Sequence, residues 1–150
     1  AHSVMTSFEG VPAIYFNSLF GTSNDEAKYI ITGNNRDLNR YRWNHKHISE
    51  KLKNTKSKQS IFYKSITDLL EIRRKQKAFH PNGFRSNINM GPKIFGFKRQ
   101  SVDKKQIIIC ITNLSSKTQT KKINYKISKW KNLLDGSSNY ILDKMIKLKY

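Results

Sequence analysis

An α/β front half followed by a small antiparallel β tail is the fold class this sequence predicts, and three patterns predict it. Residues 11–16 read Val-Pro-Ala-Ile-Tyr-Phe, an almost unbroken apolar run of the kind buried on both faces of a parallel sheet. Residues 60–79 place Phe62, Ile66, Leu69, Leu70 and Arg73 on one helical face, with Lys64, Asp68, Glu71, Lys75 and Lys77 mostly elsewhere. After Gly83 the pattern changes to short strand-like runs separated by turn residues, which predicts paired strands.

In chain order, Val4, Met5 and Phe8 fall at helical spacing and give way to Glu9-Gly10, the last turns of a helix stopped by glycine. The strand at 11–16 follows, with Pro12 tolerated near its first position. A helix turning into such a strand is the αβ half of a parallel repeat. Asn17, Ser18, Gly21, Thr22, Ser23 and Asn24, set between Leu19-Phe20 and Tyr29-Ile30-Ile31, predict a long, partly packed excursion over 17–32 rather than a second strand. Residues 44–59 are polar and rich in lysine, a solvated face or a short helix. Ser57 or Ser60 can cap the helix that follows, and His80-Pro81-Asn82-Gly83 ends it. The tail is expected to hold strands at 93–99, 106–113, 119–125 and 140–148, with turns at Met90-Gly91-Pro92, 113–117 and 135–138.

The 150 residues carry 29 Lys plus Arg against 10 Asp plus Glu, a formal charge of +19. That balance raises a polyanion partner, and a free-standing basic nucleic-acid-binding module is the alternative reading of the chain. Its distribution argues the other way, because lysines spread from Lys28 to Lys149 and no aromatic residue recurs at a regular interval. The excess of Lys over Arg, with abundant Asn and Ile, fits a bias toward A- and T-rich codons. Cys110, the only cysteine, sits within Ile107-Ile108-Ile109-Cys110-Ile111 and reads as a small buried hydrophobe, so neither a disulfide nor a zinc site is expected. His2, His45, His47 and His80 are too scattered for a metal set. No charged leader and no run of membrane-spanning length is visible, so a soluble, cytoplasmic protein without membrane contact is the expectation.

The densest polar stretch is Gly33-Asn34-Asn35-Arg36-Asp37-Leu38-Asn39-Arg40. Arginine presents a rigid fork of donors and asparagine both a donor and an acceptor, which suits sugar or anion recognition. Asn35, Arg36, Asp37 and Arg40 are the candidate binding residues. Trp43 and Trp130 could stack on sugars or cover a core edge.

Gly10-Val11-Pro12-Ala13-Ile14-Tyr15-Phe16 resembles the eighth barrel strand of the α-amylase superfamily. Thr32 to Arg40, with Gln76-Lys77-Ala78-Phe79-His80-Pro81-Asn82, resembles its sucrose phosphorylase branch, the sucrose and glucosylglycerate phosphorylases of glycoside hydrolase family 13. The resemblance covers residues 1–99 and thins out through the tail. It implies that residues 1–82 are the last helix-strand-loop-helix unit of a (β/α)8 TIM barrel and that 83–150 form a C-terminal antiparallel β domain. The implied activity is retaining transfer of a glucosyl unit between an α-glucoside and inorganic phosphate, without a cofactor, by a hexosyltransferase of phosphorylase type. Such chemistry uses a carboxylate nucleophile and a carboxylic acid/base flanking the glycosidic bond.

In the family those groups, and a third carboxylate, belong to barrel strands four, five and seven. All would lie upstream of Ala1, so the chain is expected to be an inactive C-terminal fragment with no catalytic residue of its own and the remaining barrel as a partner. The resemblance implies that Arg36 reaches the donor-glucose pocket and pairs with a carboxylate from an early barrel loop. The other reading has Arg36 bracing its own loop against Asp37 or backbone carbonyls, and Arg40 could equally fix the loop to the barrel rim. Glu9 is expected to be a helix-end carboxylate, Asp25 and Glu26 a loop pair, and Asp37 a partner of neighbouring arginines. The acceptor, whether fructose, its phosphate, glycerate or glycerol, is left open.

Overall fold

The computed structural model describes residues 1–122, 129–136, 138–140 and 145–148. Helices come first: α1 (His2–Met5), α2 (Phe16–Leu19), α3 (Glu26–Thr32), α4 (Asn35–Leu38), α5 (His45–Lys53) and α6 (Lys58–Lys75), then a 3₁₀ turn (Lys77–Phe79). The strands follow: β1 (Phe84–Asn89), β2 (Ile94–Gln100), β3 (Ile107–Asn113), β4 (Gln119–Lys122), β5 (Lys129–Lys131), β6 (Ser138–Tyr140) and β7 (Met145–Leu148). Two compact units emerge, one from Pro12–Leu70 and one from Ala1–Val11 with Glu71–Tyr150.

The Pro12–Leu70 unit is helical, and its helix ends follow capping chemistry. Asp25 accepts the Lys28 N–H at 3.1 Å to open α3, and Gly33, at φ 62°, closes it in the left-handed conformation. Asn44 accepts the N–H groups of Lys46 and His47 at the start of α5. Ser57 accepts from Ser60 at 3.1 Å as α6 begins, as its position predicts. The core is small: Phe20, Ile48 and Ile66 are buried, and Phe20 meets the rings of Phe16, Tyr63 and Trp43 at 4.9, 5.8 and 6.5 Å. Gly21 is required beside this cluster, because a Cβ there would stand 2.5 Å from the Phe62 ring and its φ is +57°.

One expected element does not form. Residues 11–15 have no regular secondary structure, and Phe16 instead starts α2. A strand exists only as a member of a ladder, and no described segment pairs with this one, so its apolar side chains stay open, Val11 at 82 % and Phe16 at 55 % exposure. Every strand pairing among the described residues is antiparallel.

In the second unit β1-β2-β3 form an antiparallel sheet in which Phe97 pairs with Asn87 and Cys110. The expected strands at 93–99 and 106–113 appear as β2 and β3. β1 was not foreseen, because Phe-Arg-Ser-Asn-Ile-Asn is mostly exposed and lacks an apolar face. β4 covers 119–122 of the strand expected at 119–125, and residues 123–125 lie outside the described part. The run expected at 140–148 is divided between β6 and β7, with 141–144 outside the described part.

Ile94 and Phe97 are buried on β2, and the Phe8 ring lies tilted 5.1 Å from Phe97 and stacked 6.0 Å from Phe95. Two buried arginines tie residues 6–10 into this unit. Arg73 donates to the carbonyls of Thr6, Phe8 and Gly10 at 2.6, 2.9 and 2.5 Å, and Arg99, fully buried, donates to His80 O at 2.9 Å. Glu9 stands 3.8 Å from Arg99 and 2.7 Å from Arg85; its own backbone N–H and Arg85 hold its carboxyl below the usual range. Gly83 is closed in, since a Cβ would meet Ala78 O at 2.9 Å and Gln100 O at 3.0 Å.

Burial pushes the Cys110 thiol up from 9.0 to about 11, against smaller opposing effects of Ser7 and Arg99. The unfolded thiol therefore loses its proton first as pH rises. Cys110 is expected to favour the folded state below pH 9.0, and that contribution should fade as pH climbs through about 11. Chemical denaturation of the wild type and Cys110→Ala across this range checks it, since only the wild type should weaken in this way.

Candidate functional site

The polar stretch 33–40 lies wholly within the helical unit. Thr32 Oγ1 accepts the Asn34 N–H at 3.3 Å, and Asn34 Oδ1 accepts the Arg36 N–H at 3.0 Å, which opens α4 as a single turn. Asp37 is half-buried and its Oδ1 lies 2.9 Å from Lys28 Nζ. The Lys28 ammonium, then the Thr32 hydroxyl and the charge of Arg42, hold the Asp37 carboxyl below its ordinary range. Leu38 O accepts the Asp25 N–H at 2.7 Å. Beyond α4, Asn39 O accepts from the Tyr15 hydroxyl at 3.3 Å, and the Asn17 amide donates to Tyr41 O at 3.1 Å.

This frame presents Asn35, Arg36 and Arg40, all exposed. Among the described residues, the side chains of Arg36 and Arg40 make no hydrogen bond or ion pair. The expectation that Asp37 pairs with neighbouring arginines is corrected as to the contact: Lys28, one helix back, takes its carboxylate, Arg42 acts on it through charge alone, and Arg36 does not brace against it. Asp25 and Glu26 are not a loop pair either, since Asp25 caps α3 and Glu26 sits in its first turn, where carboxylates complement the helix dipole. Trp43 is half-buried, donates to Thr22 Oγ1 at 2.9 Å and meets Tyr41 and His47 edge-on, which is a packing role. No group of three or more His, Cys, Asp or Glu among the described residues could hold a metal. Nor is any described helix long and apolar enough to cross a membrane.

Sequence patterns did not point to Lys28, Asn17 or Tyr15 as supports of the loop. Lys28 lies nine positions before Asp37 and Asn17 more than twenty before Asn39, too far apart for a spacing rule to connect them.

No protein-family model matches the chain. The glucosylglycerate phosphorylase of Spirochaeta thermophila is 32% identical over 115 residues, 77% of this chain and 20% of that protein. Over the matched segment the chain is related to glucosylglycerate phosphorylases. A second such phosphorylase, from Escherichia coli, is 37% identical over 82 residues, and a third, from Allomeiothermus silvanus, is 33% identical over 82. The chain thus spans a fifth or less of the length of these curated phosphorylases. Its fold matches that of a variant of AmyP, seen in complex with maltotriose, with a TM-score of 0.71 over 99% of this chain and 31% of that one at 14% identity.

Proposed function

We propose that this chain is the C-terminal part of a retaining α-glucoside phosphorylase and supplies one wall of its donor-glucose pocket. In this reading residues 1–82 belong to the end of the (β/α)8 barrel and 83–150 to the β domain. The observation that carries the pocket assignment is the state of Arg36: its guanidinium is exposed and unengaged, while the carboxylate beside it is already taken by Lys28. A free planar fork can bridge a carboxylate bidentately and still donate to a glucose hydroxyl, closing the far end of a pocket around one sugar. Asn35 offers both donor and acceptor beside it, and Arg40 a second fork. Asp37 acts through Lys28 as a brace.

The reacting carboxylates come from elsewhere in the enzyme. Retention needs a nucleophile and an acid/base on opposite sides of one glycosidic bond. Here Glu9 is held by Arg85, Asp37 by Lys28, Asp68 by Lys64, Glu71 by Lys75 and Asp103 by Ser101. Phosphate, an α-glucoside and the remaining barrel are the partners of this wall.

The purified 150-residue chain should therefore release no glucose 1-phosphate from sucrose or glucosylglycerate with inorganic phosphate. Phosphate-dependent turnover that disappears when one of its own acidic residues is changed would overturn the proposal.

A further inference from the structure

Asn17 is 7% exposed and points its amide at the second half of the candidate loop. Its Nδ2 lies 3.1 Å from Tyr41 O, 3.4 Å from Asn39 O and 3.3 Å from the Tyr15 hydroxyl. Two of these acceptors are carbonyl oxygens, which cannot donate, so the amide has one sensible orientation, nitrogen toward the loop. Its Oδ1 is then buried with no hydrogen-bond partner among the described residues. A buried acceptor left empty is costly, and what the side chain gains in return is its grip on the carbonyls either side of Arg40.

The loop has anchors at both ends, and they differ. The first half is tied by Lys28 to Asp37 and by the Asp25 N–H to Leu38 O. Past Leu38, the hydrogen bonds to the loop's carbonyls come from the Asn17 amide and the exposed Tyr15 hydroxyl. We propose that Asn17 is a positioning residue: by holding Asn39 O and Tyr41 O together it sets the backbone at Arg40, and with it the direction in which that guanidinium leaves the loop. Its relevance to glucose binding rests on the reading of residues 33–40 as a sugar-contacting loop; the clamp itself does not.

Asn17→Leu and Asn17→Asp test this on the full chain. Leucine keeps the branched outline, though with bulkier methyl groups, and removes both the donor and the empty acceptor, so overall stability should change little while the clamp is lost. Aspartate turns an acceptor toward the two carbonyls. Limited trypsin digestion, read by mass spectrometry, follows cleavage after Arg40 against cleavage after Lys105, an exposed site in the other unit. Both variants should raise the Arg40 rate about five-fold or more with the Lys105 rate unchanged, because local opening and not global unfolding limits it. An unchanged Arg40 rate overturns the proposal, and so does a rise at both bonds together, which would mark a general structural role. A second arm uses a hybrid in which this chain replaces the matched segment of the S. thermophila phosphorylase. There Asn17→Leu should raise KM for α-glucose 1-phosphate roughly ten-fold, the effect of a misplaced contact. A loosened loop with an unchanged KM would leave the clamp standing and refute the sugar-contact reading.

Discussion

Arg36→Ala should cost a working phosphorylase most of its glucosyl transfer while leaving its fold intact. The side chain is exposed and engages no described residue, and surface changes of that kind usually alter stability by no more than about 0.5 kcal/mol. In a pocket, a guanidinium that bridges a carboxylate and donates to the sugar loses charge-assisted bonds on truncation, about 3 kcal/mol or roughly 100-fold in kcat/KM. Measured in the hybrid enzyme, the variant should melt within a few degrees of its parent, on the order of what 0.5 kcal/mol shifts. Equal activity of variant and parent would show that Arg36 plays no part in the pocket.

Arg73→Met carries the largest expected loss of stability. Arg73 is buried, and burial lowers its pKa, yet a guanidinium stays charged in proteins. Three carbonyls, from Thr6, Phe8 and Gly10, accept its hydrogens, and its guanidinium lies 5.8 Å from the centre of the Phe79 ring. Methionine fills similar space but leaves those oxygens facing an apolar side chain. Bonds to charged donors contribute about 1.5–3 kcal/mol each and are not additive, so a total near 3 kcal/mol is expected. Denaturant titration should show the midpoint falling, and amide exchange should quicken over residues 6–10. A variant as stable as the parent would mean that the carbonyls find water at no cost.

Arg73 also illustrates what was legible in advance. Its place on the apolar face of the helix, beside Ile66 and Leu70, was visible as a spacing pattern, but its grip on residues 63 to 67 positions earlier was not. α6, β2 and β3 could be read because the sequence itself marks them, α6 by apolar residues at helical spacing and β2 and β3 by short apolar runs between turn residues. β1 could not, since its order comes from pairing with β2 rather than from an apolar face of its own. The run at 11–16 failed for the converse reason: its composition suits a strand, and no described segment pairs with it. At the candidate site the loop stood out by density of polar groups. Its supports, Lys28 and Asn17, needed the fold to reveal them.

The most direct measurement of the central claim is phosphorolysis of glucosylglycerate by the unmutated hybrid, with this chain in place of the matched fifth of the S. thermophila enzyme. The hybrid should fold cooperatively, turn over with phosphate and lose that turnover on Arg36→Ala. A hybrid that folds cooperatively yet neither binds α-glucose 1-phosphate nor transfers glucose would contradict the claim.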